Sequence, residues 1–195
     1  STDMEWVLLG IVGLLILYVI IEYNKLVRYR NIFQNAFKQI DVTLKQRHDM
    51  IPQLVSTVKG YAKHEQETLN GVIEARNQAE KMRDQTDSGD AKSMLALGQA
   101  EGVLGKAMGG IFALSEAYPD LKADGAFRDL MEQLTSIENK VAASRRGYNN
   151  TVLEYNNVLE TFPTNILGNM FSFTRASELE FDDREAIQEA PKVEF

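Results

Sequence analysis

The chain has 195 residues, of which 44% are hydrophobic and 25% are charged, a composition typical of folded proteins. Its 28 acidic and 21 basic residues give a net charge of −7, which argues against a nucleic-acid partner bound through a basic surface. The sequence contains no cysteine, so disulfide bonds, thiol catalysis and thiolate metal sites are excluded. Long stretches with helical apolar spacing and only four prolines predict an all-α protein.

The first predicted element is a membrane anchor over residues 6–21, which carry no charge. At 1.5 Å per residue this stretch covers about 24 Å, somewhat less than the ~30 Å hydrocarbon layer. A cleaved signal peptide and a buried soluble helix are the alternatives. Acidic Asp3 and Glu5 precede the stretch, whereas a signal peptide begins with basic residues. The residues assigned to the anchor are Trp6, Leu9, Ile16, Tyr18 and Tyr23.

Basic residues follow the anchor and none precedes it. Lys25, Arg28 and Arg30 lie within ten residues of its end. The positive-inside rule therefore predicts a single-pass protein with its N-terminus outside the cell and the rest in the cytoplasm. We divide the chain into an N-terminal tail with the transmembrane helix (1–24), a helical bundle (25–162) and an apolar segment with an acidic tail (163–195).

A long helix is predicted over residues 26–86. Its apolar residues recur at alternating spacings of four and three, the pattern of a helix packed in a bundle. Pro52 lies within this pattern and removes one backbone hydrogen bond. We expect a kink at Pro52 rather than a reversal of the chain, because the apolar phase continues through it.

The second predicted helix covers residues 91–117 and carries a stripe of glycines on one face. Each glycine costs about 1 kcal/mol relative to alanine in a helix interior, so the stripe indicates very close approach of a neighbouring backbone or of bulky side chains. A loosely packed helix is the alternative. The stripe consists of Gly98, Gly102, Gly105 and Gly109.

A third helix is predicted over residues 124–162 and ends before Pro163. The overall architecture is therefore a transmembrane helix that continues into an antiparallel bundle of three to four long helices. Several positions on the apolar seams are charged, namely Arg47, Glu65, Arg76, Glu138 and Arg145. These side chains either extend from the edge of the seam to water or pair inside the bundle and set which helices meet. A catalytic role is the weakest interpretation.

Neither of the two histidines supports a metal site. A di-metal bundle needs Glu-x-x-His pairs, but residue 45 is lysine three positions before His48 and residue 61 is tyrosine three positions before His64. We therefore predict no metal, no cofactor and no enzymatic activity.

Residues 162–173 form an uncharged apolar segment that we predict to be an interaction segment. If the first helix is not reversed, the segment caps the end of the bundle far from the membrane. If the chain reverses, the segment returns to its own bilayer. Residues 175–195 hold seven acids and three bases and are expected to be extended or disordered until a partner binds. The apolar residues of the segment are Phe162, Ile166, Leu167, Met170, Phe171 and Phe173.

Several motifs along nearly the whole chain resemble the LemA family. The resemblance implies an N-terminally anchored protein of the bacterial inner membrane with a cytoplasmic antiparallel helical bundle. The family has no agreed molecular activity, and one relative belongs to the proteins that build magnetosome membranes. The motifs include Ile40-Asp41-Val42, Arg47-x-Asp49-x-Ile51-Pro52, Val58-Lys59-Gly60-Tyr61-Ala62, Tyr118-Pro119-Asp120-Leu121, the pairs Tyr148-Asn149 and Tyr155-Asn156, Phe162-Pro163-x-Asn165-Ile166 and Pro191-Lys192-Val193-x-Phe195.

These observations favour a membrane-anchored scaffold that self-associates and organises or shapes the bilayer. Its expected partners are the lipid bilayer and further copies of the chain. The alternative is a membrane receptor or adaptor that binds a protein partner through the apolar segment and the acidic tail. An enzyme with an unrecognised site is the third hypothesis.

Overall fold

The computed structural model describes residues 1–181. This part of the chain contains six helices and no strand, which confirms the predicted all-α fold. The helices are α1 (Thr2–Lys59), α2 (Gln66–Asp84), α3 (Ala91–Ala117), α4 (Pro119–Ala123), α5 (Gly125–Glu160) and α6 (Thr164–Met170). The bounds of α3 and α5 lie close to the predicted 91–117 and 124–162.

Helix α1 joins the predicted anchor directly to the bundle. It has 58 residues and is therefore about 87 Å long. Its first part is exposed, and burial in the bundle begins at Leu26. The helix continues through Pro52, which has no N–H to bond the carbonyl oxygen of His48 four residues earlier. Arg76 Nε of α2 donates to that oxygen at 3.1 Å and satisfies it.

The helix predicted over 26–86 is wrong as a single element, because the chain reverses between α1 and α2 at residues 60–65. The turn contains Gly60, a poor helix former, and is closed by backbone bonds from Tyr61 and Ala62 to the carbonyl of Val58. The reversal lets α2 bury its apolar face against α1 and α3. The apolar spacing is the same on both sides of the turn, so the pattern did not reveal the break.

The four long helices form the bundle, in which α5 packs along α1 and α2 packs against both α1 and α3. The neighbours are antiparallel. Tyr61, just beyond the end of α1, meets Asp124 at the start of α5, and Phe33 near the start of the bundle meets Tyr155 near the end of α5.

The apolar core consists of two clusters stacked along the bundle axis. The membrane-proximal cluster includes Leu44, Leu97 and Val141, and the distal cluster includes Ile51 and Leu104. The intervening turns of the helices carry charged side chains. A polar layer therefore separates the two halves of the core.

The apolar segment 162–173 lies at the membrane-proximal end of the bundle, so its predicted place at the distal tip is wrong. Thr164 Oγ1 donates to Glu22 Oε2 at 3.0 Å, and the Phe171 ring packs edge-on against Tyr23 with centroids 5.0 Å apart. The extra reversal at residues 60–65 adds one crossing, and α5 therefore returns to the end from which α1 enters the bundle.

An extended segment, residues 172–181, follows α6 and runs back along α5. Asn156 and Asn149 each bond both the N–H and the carbonyl of one residue in the segment, Ala176 and Leu179 respectively. The hydroxyls of Tyr155 and Tyr148 donate to the carbonyls of Thr174 and Ser177, both at 2.8 Å. The two Tyr-Asn pairs, seven residues apart on α5, thus clamp the start of the acidic tail. The rest of the tail lies outside the described residues.

The glycines of α3 do not share one neighbour. A Cβ at Gly98 would lie 2.0 Å from the carbonyl oxygen of Glu180, so the extended segment approaches the helix backbone there. At Gly105 a Cβ would meet Arg47 Nη2 at an ordinary 3.4 Å, and at Gly109 it would meet no atom of the described residues within 4 Å. Gly102 is buried. Close approach therefore holds at Gly98 and not at Gly109.

Replacing these two glycines by alanine should have opposite effects. Gly98→Ala forces the segment away from α3 and should destabilise the protein by about 1–3 kcal/mol. Gly109→Ala gains helix propensity in open space and should stabilise it by up to about 1 kcal/mol. Urea unfolding followed by circular dichroism in micelles measures both variants. Equal effects of the two substitutions would contradict the close packing at Gly98.

Candidate functional site

The candidate site is the polar layer between the two apolar clusters, which we call the charge cluster. Its side chains come from all four long helices, so each helix contributes to one connected network. The members are Asp41, Arg47 and His48 of α1, Glu80 and Arg83 of α2, Glu101 of α3 and Glu138 of α5.

His48 lies at the centre of the charge cluster and is completely buried. Its Nδ1 is 2.5 Å from Glu80 Oε2, and its Nε2 is 2.5 Å from Glu101 Oε1. Each ring nitrogen of His48 therefore faces a carboxylate oxygen, one from α2 and one from α3.

Arg47 is the second buried basic residue, with only 4% of its side chain exposed. Its Nη1 donates to Glu101 Oε2 at 3.2 Å. Its Nε lies 3.0 Å from Glu138 Oε1 but outside hydrogen-bonding geometry, so that contact is an ion pair rather than a directed bond. Each carboxylate oxygen of Glu101 thus contacts a basic side chain, His48 at one and Arg47 at the other.

The half-buried part of the charge cluster is centred on Arg83. Its Nη2 donates to Glu80 Oε1 at 2.7 Å, and its Nη1 donates to Asp41 Oδ1 at 2.9 Å. The hydrogen bond from Arg83 lowers the pKa of Glu80 to about 2, and the contact with His48 acts in the same direction. The same bond raises the pKa of Arg83. Glu80 therefore stays ionised while it faces His48.

The innermost part of the charge cluster pairs basic with acidic side chains. The buried Arg47 and His48 face the carboxylates of Glu101, which is buried, and of Glu80, whose side chain is 20% exposed. A buried, paired network of this kind contributes little net stability compared with apolar packing, but losing one partner leaves an unpaired buried charge and is costly. The charge cluster therefore chiefly determines which helices pack together and how they are aligned along the bundle axis.

The structure brings together only two of the five predicted network residues, Arg47 and Glu138. Arg76 bonds the His48 carbonyl and approaches Asp49 at the edge of the layer. Glu65 lies at the distal end, where it accepts a bond from Tyr118 at 3.3 Å. Arg145 lies nearer the membrane with its guanidinium carbon 4.4 Å from the centre of the Phe181 ring, a cation–π contact with the extended segment.

The prediction missed Asp41, His48, Glu80, Arg83 and Glu101. A signal for Glu101 was present, because Leu97, Glu101, Leu104 and Met108 continue one buried seam at spacings of four, three and four. The glycine stripe lies on another face of the same helix, and that face was predicted to be the packing face instead. Glu80 and Arg83 could not be placed beside α1 while residues 26–86 were taken as one helix.

The geometry of the charge cluster leaves no open position for a ligand on His48. Glu80 and Glu101 occupy opposite ring nitrogens, so the two carboxylates cannot converge with His48 on one ion. Within residues 1–181, no three His, Asp or Glu side chains are grouped as metal ligands. The geometry of the charge cluster is therefore that of a structural network inside the bundle, and not that of a ligand site.

The predicted anchor residues share one feature, which is exposure in a helix that is apolar and long enough to cross a bilayer. Among the described residues, α1 is the one helix with this property, and its apolar stretch is not buried by the protein. Tyr23 lies at the end of the stretch and contacts the Phe171 and Phe173 rings. The exposed residues are Trp6, Leu9, Ile16, Tyr18 and Tyr23.

Comparison with known proteins assigns the chain to a family. The profile described as LemA family matches residues 36–195, which include every member of the charge cluster and both Tyr-Asn pairs. The chain belongs to the LemA family. Among LemA-family relatives, Protein LemA of Metamycoplasma hominis is 26% identical over 163 residues, which cover 80% of this chain and 70% of the relative.

More distant relatives carry the name magnetosome protein. Magnetosome protein MamQ 2 of Paramagnetospirillum magneticum is 31% identical over 90 residues, and Magnetosome protein MamQ of Magnetospirillum gryphiswaldense is 28% identical over 89 residues. Each match covers 46% of this chain and 32% of the relative, so these alignments span about a third of those proteins. The family and the apolar helix together indicate a membrane-associated helical protein.

Removal of the buried arginine should be far more harmful than removal of an exposed one. Arg47→Met leaves Glu101 and Glu138 without their shared cation and should cost about 3–5 kcal/mol of unfolding free energy. The matched change Arg146→Met, at an exposed position of α5, should stay within about 0.5 kcal/mol. Urea unfolding of the two variants tests this, and similar losses would contradict the role of the charge cluster.

Proposed function

We propose that the protein is a non-enzymatic, membrane-anchored scaffold that self-associates and organises or shapes the bacterial membrane. The observation that carries the proposal is the continuity of α1. One helix of 58 residues forms both the apolar stretch and a bundle wall, with no loop between them. Any orientation that the bundle adopts in an assembly is therefore transmitted to the membrane helix.

The charge cluster supports a structural role over a catalytic one. In the described part of the chain, its buried ionisable groups are directed at one another, and both nitrogens of His48 are occupied. LemA-family proteins are not known as enzymes. A catalytic histidine or carboxylate would instead need an open side toward a substrate.

The magnetosome names of the MamQ relatives support a role in membrane organisation. Those relatives share about ninety residues with this chain. From these relatives the proposal takes only an association with a specialised membrane, because the matched region is about a third of their length.

The proposed topology is single-pass in the inner membrane with the N-terminus outside and the bundle in the cytoplasm. Lys25, Arg28 and Arg30 follow the apolar stretch, while Asp3 and Glu5 precede it. By the positive-inside rule, the side with the basic residues is the cytoplasmic side.

The receptor or adaptor is the second candidate, and the fold makes it weaker. Part of the apolar segment, including Leu167 and Phe173, packs on the chain's own bundle, and the start of the tail is held by the Tyr-Asn pairs. An adaptor would have to use other surfaces or the remainder of the tail.

Self-association can be measured with the full chain in vesicles at low protein-to-lipid ratio. Because the sequence has no cysteine, Lys122→Cys on the exposed distal end provides one labelling position. Energy transfer between donor-labelled and acceptor-labelled copies should exceed that of an unrelated single-pass monomer at equal surface density, and electron cryomicroscopy should show altered vesicle shape. Transfer equal to the monomer control together with unchanged vesicles would refute the scaffold and favour the adaptor.

A further inference from the structure

The outer face of α6 is an apolar stripe at the base of the bundle. Ile166 and Met170 are four residues apart, so they share one side of the helix, and they are 50% and 67% exposed. Phe162, in the turn before the helix, is 75% exposed. The opposite side is buried against α1 and α5 through Leu167 and Gly168. The element is amphipathic, and its apolar outer side has no partner among the described residues.

The position of this stripe is set by contacts with the first charged turn after the anchor. Thr164 bonds Glu22, the residue that directly follows the uncharged stretch 6–21. Phe171 stacks edge-on against Tyr23. The stripe therefore lies within about one helical turn, ~5.4 Å, of the end of the apolar stretch.

We propose that the outer face of α6 inserts into the interfacial layer of the same bilayer that holds α1. The stripe continues the exposed apolar surface of α1, where Ile20 and Ile21 also face outward. A second copy of the chain would not explain why the exposed apolar residues coincide with the end of the anchor. An amphipathic element with its apolar side at the level of the acyl chains is the arrangement that a membrane surface stabilises.

The charges next to the stripe fit a surface of anionic lipid headgroups. Arg28 is exposed on α1 one turn beyond Lys25. The guanidinium carbon of Arg30 lies 4.8 Å from the centre of the Phe173 ring. Arg175, on the segment after α6, is exposed and also pairs with Glu160. Basic residues beside an inserted apolar face strengthen binding to anionic membranes.

Two attachment points would fix the orientation of the bundle relative to the membrane plane. A single transmembrane helix can still tilt and rotate. α1 holds the bundle at one point, and the outer face of α6 adds a second point beside it. This inference rests on the proposed membrane anchorage and not on self-association.

Nitroxide labels on the full chain in vesicles that contain anionic lipid test the proposal. Ile166→Cys carries the probe, and Met170→Cys is the second variant in case the first disturbs folding, which circular dichroism checks. Phe112→Cys is the matched control, because Phe112 is 49% exposed on the distal half of α3. Ile16→Cys marks the bilayer interior. The measurement compares collisions of each label with oxygen, which concentrates in lipid, and with a water-soluble nickel chelate.

The expected result is a ratio of oxygen to nickel collisions at residues 166 and 170 that is several-fold higher than at residue 112 and lower than at residue 16. A ratio equal to that at residue 112 would place the stripe in water and overturn the proposal. Low collision rates with both reagents would show that protein covers the stripe, which also overturns it. The labels are read at protein densities too low for association, so failure of the scaffold proposal would leave this result unaffected.

Discussion

The carboxylate of Glu101 is the constraint on which the arrangement of the helices depends. It is buried, and its two oxygens are met by His48 and Arg47, consecutive residues of α1. Moving α3 along α1 by one turn, about 5.4 Å, would bring Leu97 or Leu104 opposite these two side chains and leave Glu101 unpaired in an apolar cluster. The apolar clusters above and below the layer tolerate such a shift more readily, because leucine side chains can exchange neighbours at similar cost. The charge cluster therefore selects the register, and the apolar clusters supply most of the burial.

This register links the bundle to the membrane. The charge cluster aligns α1, α2 and α3, while Glu138 ties α5 to Arg47 at the same height. Beyond this layer, the remaining turns of α5 lead the chain back toward the apolar stretch of α1. There α6 begins beside Glu22 and Tyr23. The extended segment then runs back along α5 and contacts Gly98 of α3. It therefore links α5 to α3 on the outside of the bundle. An internal polar layer thus determines which apolar residues lie beside the end of the apolar stretch of α1.

The sequence was sufficient for the helical class, the N-terminal apolar helix and the approximate bounds of α3 and α5, because these depend on local composition, periodicity and stop signals. It was not sufficient for the turn at residues 60–65. An apolar pattern with spacings of four and three describes which face of a helix is buried, and that face stays the same whether Val58 and Leu69 belong to one helix or to two. One missed reversal moved residues 162–173 to the wrong end of the molecule. It also separated Glu80 and Arg83 from Arg47 and His48, so the contribution of α2 to the charge cluster could not be predicted from the sequence.

The central claim is that the chain reverses before α2 and that α5 returns the apolar segment to the membrane end of α1. A pair of spin labels at Lys25→Cys and Met170→Cys, in full-length protein reconstituted in vesicles, measures this directly by pulsed electron resonance. The account predicts a short distance within one molecule, since Tyr23 and Phe171 are in ring contact. If α6 were at the distal end, the labels would be separated by nearly the length of α1 from residue 25 to residue 59, about 50 Å. A distance of that size would contradict the account.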